Sequence, residues 1–167
     1  MPLLIEDQVP FRLIEAEVKP DWVNSLGHLR AAHYVQIFDD AFMAMFPGLG
    51  LTDARLMCGS TSPVLADLHA TYLAELRTGD RVSVAAQFLD ADERRVRLIL
   101  LMHALGVARL AATCELAIVN MDLTSRRPAQ WSTEQTTILD RLKRAHASLP
   151  MPKQAGRSIG PLTLAVR

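Results

Sequence analysis

Three residues near the start of the chain carry groups that can hold and polarise a carbonyl compound. Asn24, Gly27 and His28 lie in a loop that leads directly into a segment with helical periodicity. An asparagine amide can hold a water molecule, and a glycine lets a ligand approach the backbone closely. The first N–H groups of a helix can stabilise a carbonyl oxygen that gains negative charge. The loop is therefore a candidate site, with Asn24 and His28 as catalytic candidates and Gly27 as a binding residue.

A carboxylate that could accept a proton follows on the predicted helix. At about 100° per residue, Asp39 lies about 80° from the centre of the apolar stripe of this helix, and Asp40 lies about 180° from it. Asp39 is thus expected at the border of the buried face and is the better candidate for a general base. The stripe consists of Ala31, Tyr34, Val35, Phe38, Phe42 and Met45.

Each of these residues also has an explanation without chemistry. Asn24 is typical of an Asx turn before a glycine, and His28 is equally consistent with a residue that only begins a helix. Asp39 is consistent with a solvated carboxylate at the edge of a buried face. Tyr34 fits the core, although its hydroxyl could reach a pocket and bind substrate.

The rest of the chain predicts the elements that hold this loop and helix. Residues 9–19 read as an edge strand, and four later segments alternate apolar and polar residues with a period of two. One face of the resulting antiparallel sheet is apolar, and the helix over about residues 30–46 can cover it. Ser132 and Gln135 form a capping pair for a second helix over about 133–148. The chain thus reads as an α+β protein.

We expect one domain over residues 1–167. Its core spans about residues 8–130, a C-terminal helix spans about 132–149, and a loosely held tail spans 150–167.

Composition excludes several classes of protein. Lys and Arg number 18, as do Asp and Glu, so no basic excess favours a nucleic-acid partner. Cys58 and Cys114 do not have the spacing of a disulfide framework or a metal site. No apolar stretch reaches the roughly 20 residues of a membrane span. We therefore expect a cytoplasmic protein without a metal, whose zero net charge permits self-association.

Four motifs carry a family resemblance. The run from Asn24 to His28, followed by Tyr34, resembles the Asp-x-x-Gly-His-x5-Tyr signature of the 4-hydroxybenzoyl-CoA thioesterase superfamily. Residues 69–80, 111–115 and 121–127 are similar to the branch that includes betainyl-CoA thioesterases. The resemblance covers about residues 8–130. It implies a hot-dog fold, in which a curled antiparallel sheet wraps one long central helix, and hydrolysis of acyl-CoA thioesters.

One position departs from this pattern. The family usually has a carboxylate where this chain has Asn24, and an amide cannot accept a proton. A second type of hot-dog thioesterase has Asn at this position and pairs it with an Asp fifteen positions later, which is Asp39 here. In that type the two residues come from opposite subunits, so the resemblance implies a homodimer or homotetramer.

The resemblance also suggests further binding residues. His69, Thr71 and Glu75 share the polar face of the predicted sheet, where a solvated or subunit-facing surface is the alternative explanation. His69 and Thr71 are the better substrate-binding candidates because the corresponding strand borders the acyl pocket in this fold. Glu75 is a further substrate-binding candidate and a second candidate for the base. The expected substrate is an acyl-CoA, with coenzyme A as part of the substrate and no other cofactor.

Two other functions stay open. The chain could be a non-catalytic acyl-CoA binding homologue that lost its base. It could also be a hot-dog hydratase or dehydratase, although Asp21 precedes His28 by seven residues rather than the usual five.

Overall fold

A computed structural model describes residues 10–49, 51, 59–107 and 109–159. Cys58, the last eight residues of the predicted tail and the start of the predicted core at residue 8 lie outside these ranges. The strands and helices follow one another in the order that the periodicity predicts. Two short 3-10 helices also lie within the described ranges, at Pro20–Trp22 and Phe46–Leu49. In chain order the others are β1 (Phe11–Glu17), α1 (Ala31–Ala44), β2 (Thr61–Tyr72), β3 (Arg81–Ala91), β4 (Arg95–Ala104), β5 (Arg109–Asp122) and α2 (Thr133–His146).

The five strands form one antiparallel sheet in the order β1-β3-β4-β5-β2. The two outer positions are therefore held by β1 and by the longer strand β2. The register shifts once in each strand pair, for example between Leu65 and Asp67 of β2. Such bulges bend a strand and increase its twist, which favours a curled sheet.

Helix α1 lies against one face of the sheet, which we call the inner face. Ile37, Phe38 and Ala41 of the helix are almost completely buried, and they pack against the inner-face residues Leu98 and Leu100. Because only the inner face must be apolar, apolar and polar residues alternate along the strands. This alternation is why the strands lie where the sequence predicts them.

The buried stripe of α1 is rotated from the predicted one. Ile37 and Ala41 are buried, whereas Ala31 is exposed and Val35 is only partly buried. The predicted angles were therefore wrong, because packing in the core buries Ile37 and Ala41 rather than Ala31 and Val35. With the observed stripe, Asp39 and Asp40 both lie about 130° from its centre, on opposite flanks, and both are exposed.

Helix α2 closes the end of the sheet beyond the C-terminus of α1. Its capping box is present as predicted: the Ser132 hydroxyl accepts from Gln135 N, and the Gln135 side chain accepts from Ser132 N. Such a cap stabilises a helix by about 1 kcal/mol. Leu139 and Leu142 of α2 join the core.

The C-terminal segment crosses the outer face of the sheet. Gln87 Nε2 donates to Pro150 O at 3.1 Å, and Gly156 N donates to Glu115 Oε2 at 2.6 Å. Ile99 and Leu101, which point away from α1, are buried on this side. The described part of the predicted tail is thus attached, because apolar and polar groups of the outer face both find partners in it. No helix among the described residues is long and apolar enough to cross a bilayer.

Candidate active site

The loop before α1 is closed by the side chain of Asn24. Its Oδ1 accepts from the backbone N–H of Leu26 at 3.0 Å and of His28 at 3.1 Å. Its own backbone N–H donates to His28 O at 2.9 Å. Gly27 has a φ of +77°, which a side chain would disfavour. The Asx turn is therefore real, and only the Nδ2 group of Asn24 remains free to contact a ligand.

The loop N–H groups are not the free donors that the sequence suggested. Besides the two that Asn24 accepts, Leu29 N donates to Leu76 O and Arg30 N donates to Trp22 O. The first two N–H groups of α1, on Ala31 and Ala32, make no hydrogen bond within the described residues. Because both residues are exposed, these two groups are the available anion donors at the helix start.

A charged cluster lies beside this loop. The closest His28 Nε2 contacts are Glu75 Oε2 at 3.2 Å and an Arg77 guanidinium nitrogen at 3.0 Å. One ring nitrogen can donate to the carboxylate or accept from the arginine, but not both in the same tautomer. Glu75 therefore sits at the start of α1, after β2 ends, rather than on the polar face of the sheet. Its side chain is 67% exposed.

Tyr34 fastens α1 to the chain that leaves β2. Its hydroxyl donates to Ala74 O at 3.1 Å and accepts from Leu76 N at 3.1 Å. The residue is 4% exposed, and burial raises the pKa of its hydroxyl. With its only proton given to a backbone carbonyl, Tyr34 positions the site, and its predicted contact with substrate stays untested.

Asp39 lies in a different place, on the flank of α1 that faces β2. It lies nine residues beyond Arg30, which is about 13 Å along the helix at about 1.5 Å per residue. It makes no hydrogen bond or ion pair within the described residues. It lines an open groove of about 380 Å³ between α1, β2 and β5. The groove is otherwise lined by Ala32, Val35, Gln36, Phe38, Phe42, Leu65, Leu68 and Leu116.

His69 and Thr71 lie on the other face of the sheet. Their neighbour Ala70 pairs with Cys114, which is on the inner face, so His69 and Thr71 point outward. His69 is opposite Glu115, and its Nδ1 is buried without a hydrogen-bond partner. Within one chain these two residues do not join the loop or the groove, and their predicted contact with substrate stays untested.

Sequence reasoning missed several parts of the site. Gln36, Leu65 and Leu68 share the groove with Asp39, and the polar Gln36 beside the apolar stripe was the only available signal. Arg77 had no signal, since 49 residues separate it from His28. Cys114 is buried, which raises its pKa to about 12 and leaves a thiol unsuited to attack a carbonyl.

The edge of β2 is open and apolar. No described strand pairs with its outer side, and unpaired edges favour association with another chain. Large apolar side chains are exposed on β2, on the residue that follows it and on the nearby face of α1. They are Met43, Val64, Tyr72 and Leu73.

Comparison with known proteins gives a consistent result. The sequence model of the thioesterase-like superfamily matches residues 18–142. A betainyl-CoA thioesterase of Pseudomonas aeruginosa is 31% identical over 146 residues, which are 87% of this chain and 92% of that protein.

Solved structures share the fold. A candidate thioesterase from Pseudomonas putida is 28% identical, with a TM-score of 0.79 over 92% of this chain and 97% of that chain. A Staphylococcus aureus protein solved in complex with CoA is 22% identical, with a TM-score of 0.84 over 91% of this chain and 96% of that one. The predicted hot-dog fold is confirmed, as is the predicted enzyme class, acyl-CoA thioesterase. The chain belongs to the thioesterase-like superfamily.

Proposed function

We propose that this thioesterase hydrolyses short acyl-CoA substrates at a site shared by two copies of the chain. Asn24 and the start of α1 come from one copy, and Asp39 comes from the other. The observation that carries this proposal is the position of Asp39. It makes no hydrogen bond or ion pair with any residue that the structure describes, it lines an open groove, and it lies about 13 Å along α1 from the helix start of its own chain.

A second copy is expected at the edge of β2. The unpaired backbone of this strand, with Val64 and Tyr72 exposed beside it, offers hydrogen bonds and apolar contact to another edge. Met43 is one helical turn from Asp39, on the same flank of α1. A copy that docks there would cover the groove and bring its own loop towards Asp39. The assembly is a homodimer, or a homotetramer built from such dimers.

The proposed chemistry is a general-base hydrolysis. Asp39 takes a proton from a water molecule that Asn24 Nδ2 orients, and the water oxygen attacks the thioester carbon. The carbonyl oxygen becomes an oxyanion, which the free N–H groups of Ala31 and Ala32 stabilise at the positive end of α1. The C–S bond then breaks. The CoA sulfur leaves with the proton that Asp39 holds, and the free acid remains.

The groove is suited to a small acyl group. Phe38 and Phe42 are among its apolar lining residues, and Asp39 adds a negative charge. A carboxylate also suits a quaternary ammonium group, such as the acyl group in the name of the Pseudomonas aeruginosa relative. No cofactor is required by this mechanism, because water is the second substrate.

The test is the Asp39→Asn variant, assayed by release of CoA from a panel of short acyl-CoA thioesters. Loss of the base should lower kcat at least about 100-fold, while binding of a CoA thioether is retained. Asp40→Asn is the matched control, since Asp40 is equally exposed on the opposite flank of the same helix. It should stay within about threefold of the wild type.

Glu75→Gln separates the two candidate bases. Because the Glu75 side chain is largely exposed and pairs with His28, its loss should change kcat by less than about threefold. A large loss in Glu75→Gln with full activity in Asp39→Asn would reverse the assignment. A wild-type protein that binds acyl-CoA but hydrolyses none of the panel would favour the non-catalytic binding protein instead.

A further inference from the structure

The groove at Asp39 continues towards an interior cavity along the same three elements. The groove touches Asp39 of α1, Leu65 of β2 and Leu116 of β5. The cavity touches positions further along the same elements, which are Met45 on α1, Pro63 on β2 and Ile118 on β5. The two spaces therefore form one track between the helix and the inner face of the sheet.

Phe42 interrupts this track. Among the residues that line either space, it is the one common to both. It is 6% exposed, so its ring is nearly enclosed. Phe46 holds it in a T-shaped contact, with ring centroids 5.0 Å apart and planes at 87°. An aromatic pair in this geometry contributes stability beyond the burial of its area, which favours the observed position of the Phe42 ring.

The cavity beyond Phe42 is apolar. It measures about 30 Å³ and is closed at its far end by α2. A space of this size with such a lining stays dry and accepts apolar groups. Its walls include Phe46, Phe88, Leu98, Trp131 and Leu142.

We propose that Phe42 sets the longest acyl chain that this enzyme accepts. The acyl group enters from the Asp39 side and ends against the Phe42 ring. A smaller side chain at this position opens the track, and an unbranched aliphatic chain then extends into the cavity towards α2. This inference rests on the proposed function, because it takes the groove at Asp39 as the acyl site.

The test is a binding series with S-alkyl-CoA thioethers, which cannot be hydrolysed, from ethyl to dodecyl, measured by calorimetry. Each methylene that enters an apolar space should tighten binding about fourfold. In the wild type the gain should stop at a short chain. In Phe42→Leu it should continue for at least about two further carbons. Phe42→Met serves as a second variant that keeps more of the side-chain volume.

Two matched variants locate the effect. Phe88→Leu enlarges the cavity without touching the groove, and Phe38→Leu enlarges the groove without touching the cavity. Phe88→Leu should keep the wild-type chain-length limit. Phe38→Leu should change binding of the shortest thioethers and leave the limit in place. Binding of the ethyl thioether reports whether the other variants are folded, and a urea unfolding curve reports it for Phe38→Leu.

Several outcomes would overturn the inference. Phe42 variants that bind the ethyl thioether normally and stop at the wild-type length would show that Phe42 is not the barrier. An equal extension in Phe88→Leu would place the limit elsewhere. A shifted limit in a protein that hydrolyses no thioester would support Phe42 as the barrier while contradicting the proposed activity. Unchanged limits in an active enzyme would contradict the inference alone.

Discussion

The start and the middle of α1, which supply the two halves of the proposed site, differ in how many of their polar groups are paired within one chain. At the start of α1, Asn24 closes its loop, Tyr34 ties the helix to the exit of β2, and His28 contacts Glu75. At the middle of α1, Asp39 has no polar partner among the described residues and borders an open groove. The groups of the first region are held by contacts within their own chain, whereas no described residue of the same chain pairs with Asp39.

This difference shows what each region can contribute. The loop groups are held in place before a ligand arrives, which is what an oxyanion site needs, since reorganisation would cost catalytic power. Asp39 can act only when something brings a substrate and a hydrogen-bonding group to it. Two predictions test this comparison and a third addresses a region outside it, in order of decreasing effect.

Mixed oligomers should recover activity that neither parent has. Asp39→Asn and Asn24→Ala should each be nearly inactive, but a dimer with one of each contains one intact site if the two residues meet across the interface. Random mixing of equal amounts makes half the dimers mixed, so about a quarter of wild-type activity should return. The measurement is CoA release after the two variants are unfolded and refolded together.

The control for this experiment mixes Asp39→Asn with the double variant that carries both substitutions, because no combination of these chains contains an intact site. Activity there should stay at background. If the first mixture also stays at background, the loop and the groove do not form a shared site.

Asn24 should prove to be a structural residue as well as a catalytic one. In Asn24→Ala the N–H groups of Leu26 and His28 lose their acceptor, so the free energy of unfolding should fall by about 1–2 kcal/mol. Asn24→Asp keeps an acceptor oxygen and should retain nearly wild-type stability, yet it lacks the Nδ2 donor and should lose activity. Urea unfolding checks the stability, and equal stability of all three proteins would contradict this description of the loop.

A third region supplies a pH effect that is independent of the site. His146 is buried, its Nδ1 accepts from Phe88 N at 2.6 Å, and burial lowers its pKa. The unfolded chain, with a histidine pKa of about 6.5, therefore binds the proton first as the pH falls. The contribution of neutral His146 to the free energy of unfolding should be complete above about pH 6.5. It should be lost as the pH falls from there through the lower pKa of the folded state.

His146→Gln removes this titration, so its urea midpoint should change less between about pH 8 and pH 5 than that of the wild type. The effect should be the smallest of the three, since one partly desolvated group causes it. A wild type whose stability does not fall below about pH 6.5 would contradict it.

Much of the fold was predictable because its rules are local. Apolar and polar residues alternate with a period of two along much of strands β2 to β5, because each strand has one face in the core. The second helix was predictable from Ser132 and Gln135, because a capping box needs residues only three positions apart. The Asn24 turn was likewise foreseen as an alternative.

The site was less predictable because its contacts are long-range. The pairing of Glu75 with His28 spans 47 residues, and no local pattern marks it. The orientation of Asp39 was misjudged because the buried stripe depends on packing in the core, which placed Ile37 and Ala41 inside.

The chain by itself determined the order of its elements and its family. These follow from residue type and spacing along the backbone. Only the tertiary structure decided which flank of α1 faces β2. It thereby distinguished Asp39 from Asp40, and it alone placed Phe42 between the groove and the cavity. The physical reason is that packing against distant strands rotates the helix and shapes the space beside it, and spacing along one segment does not contain those contacts.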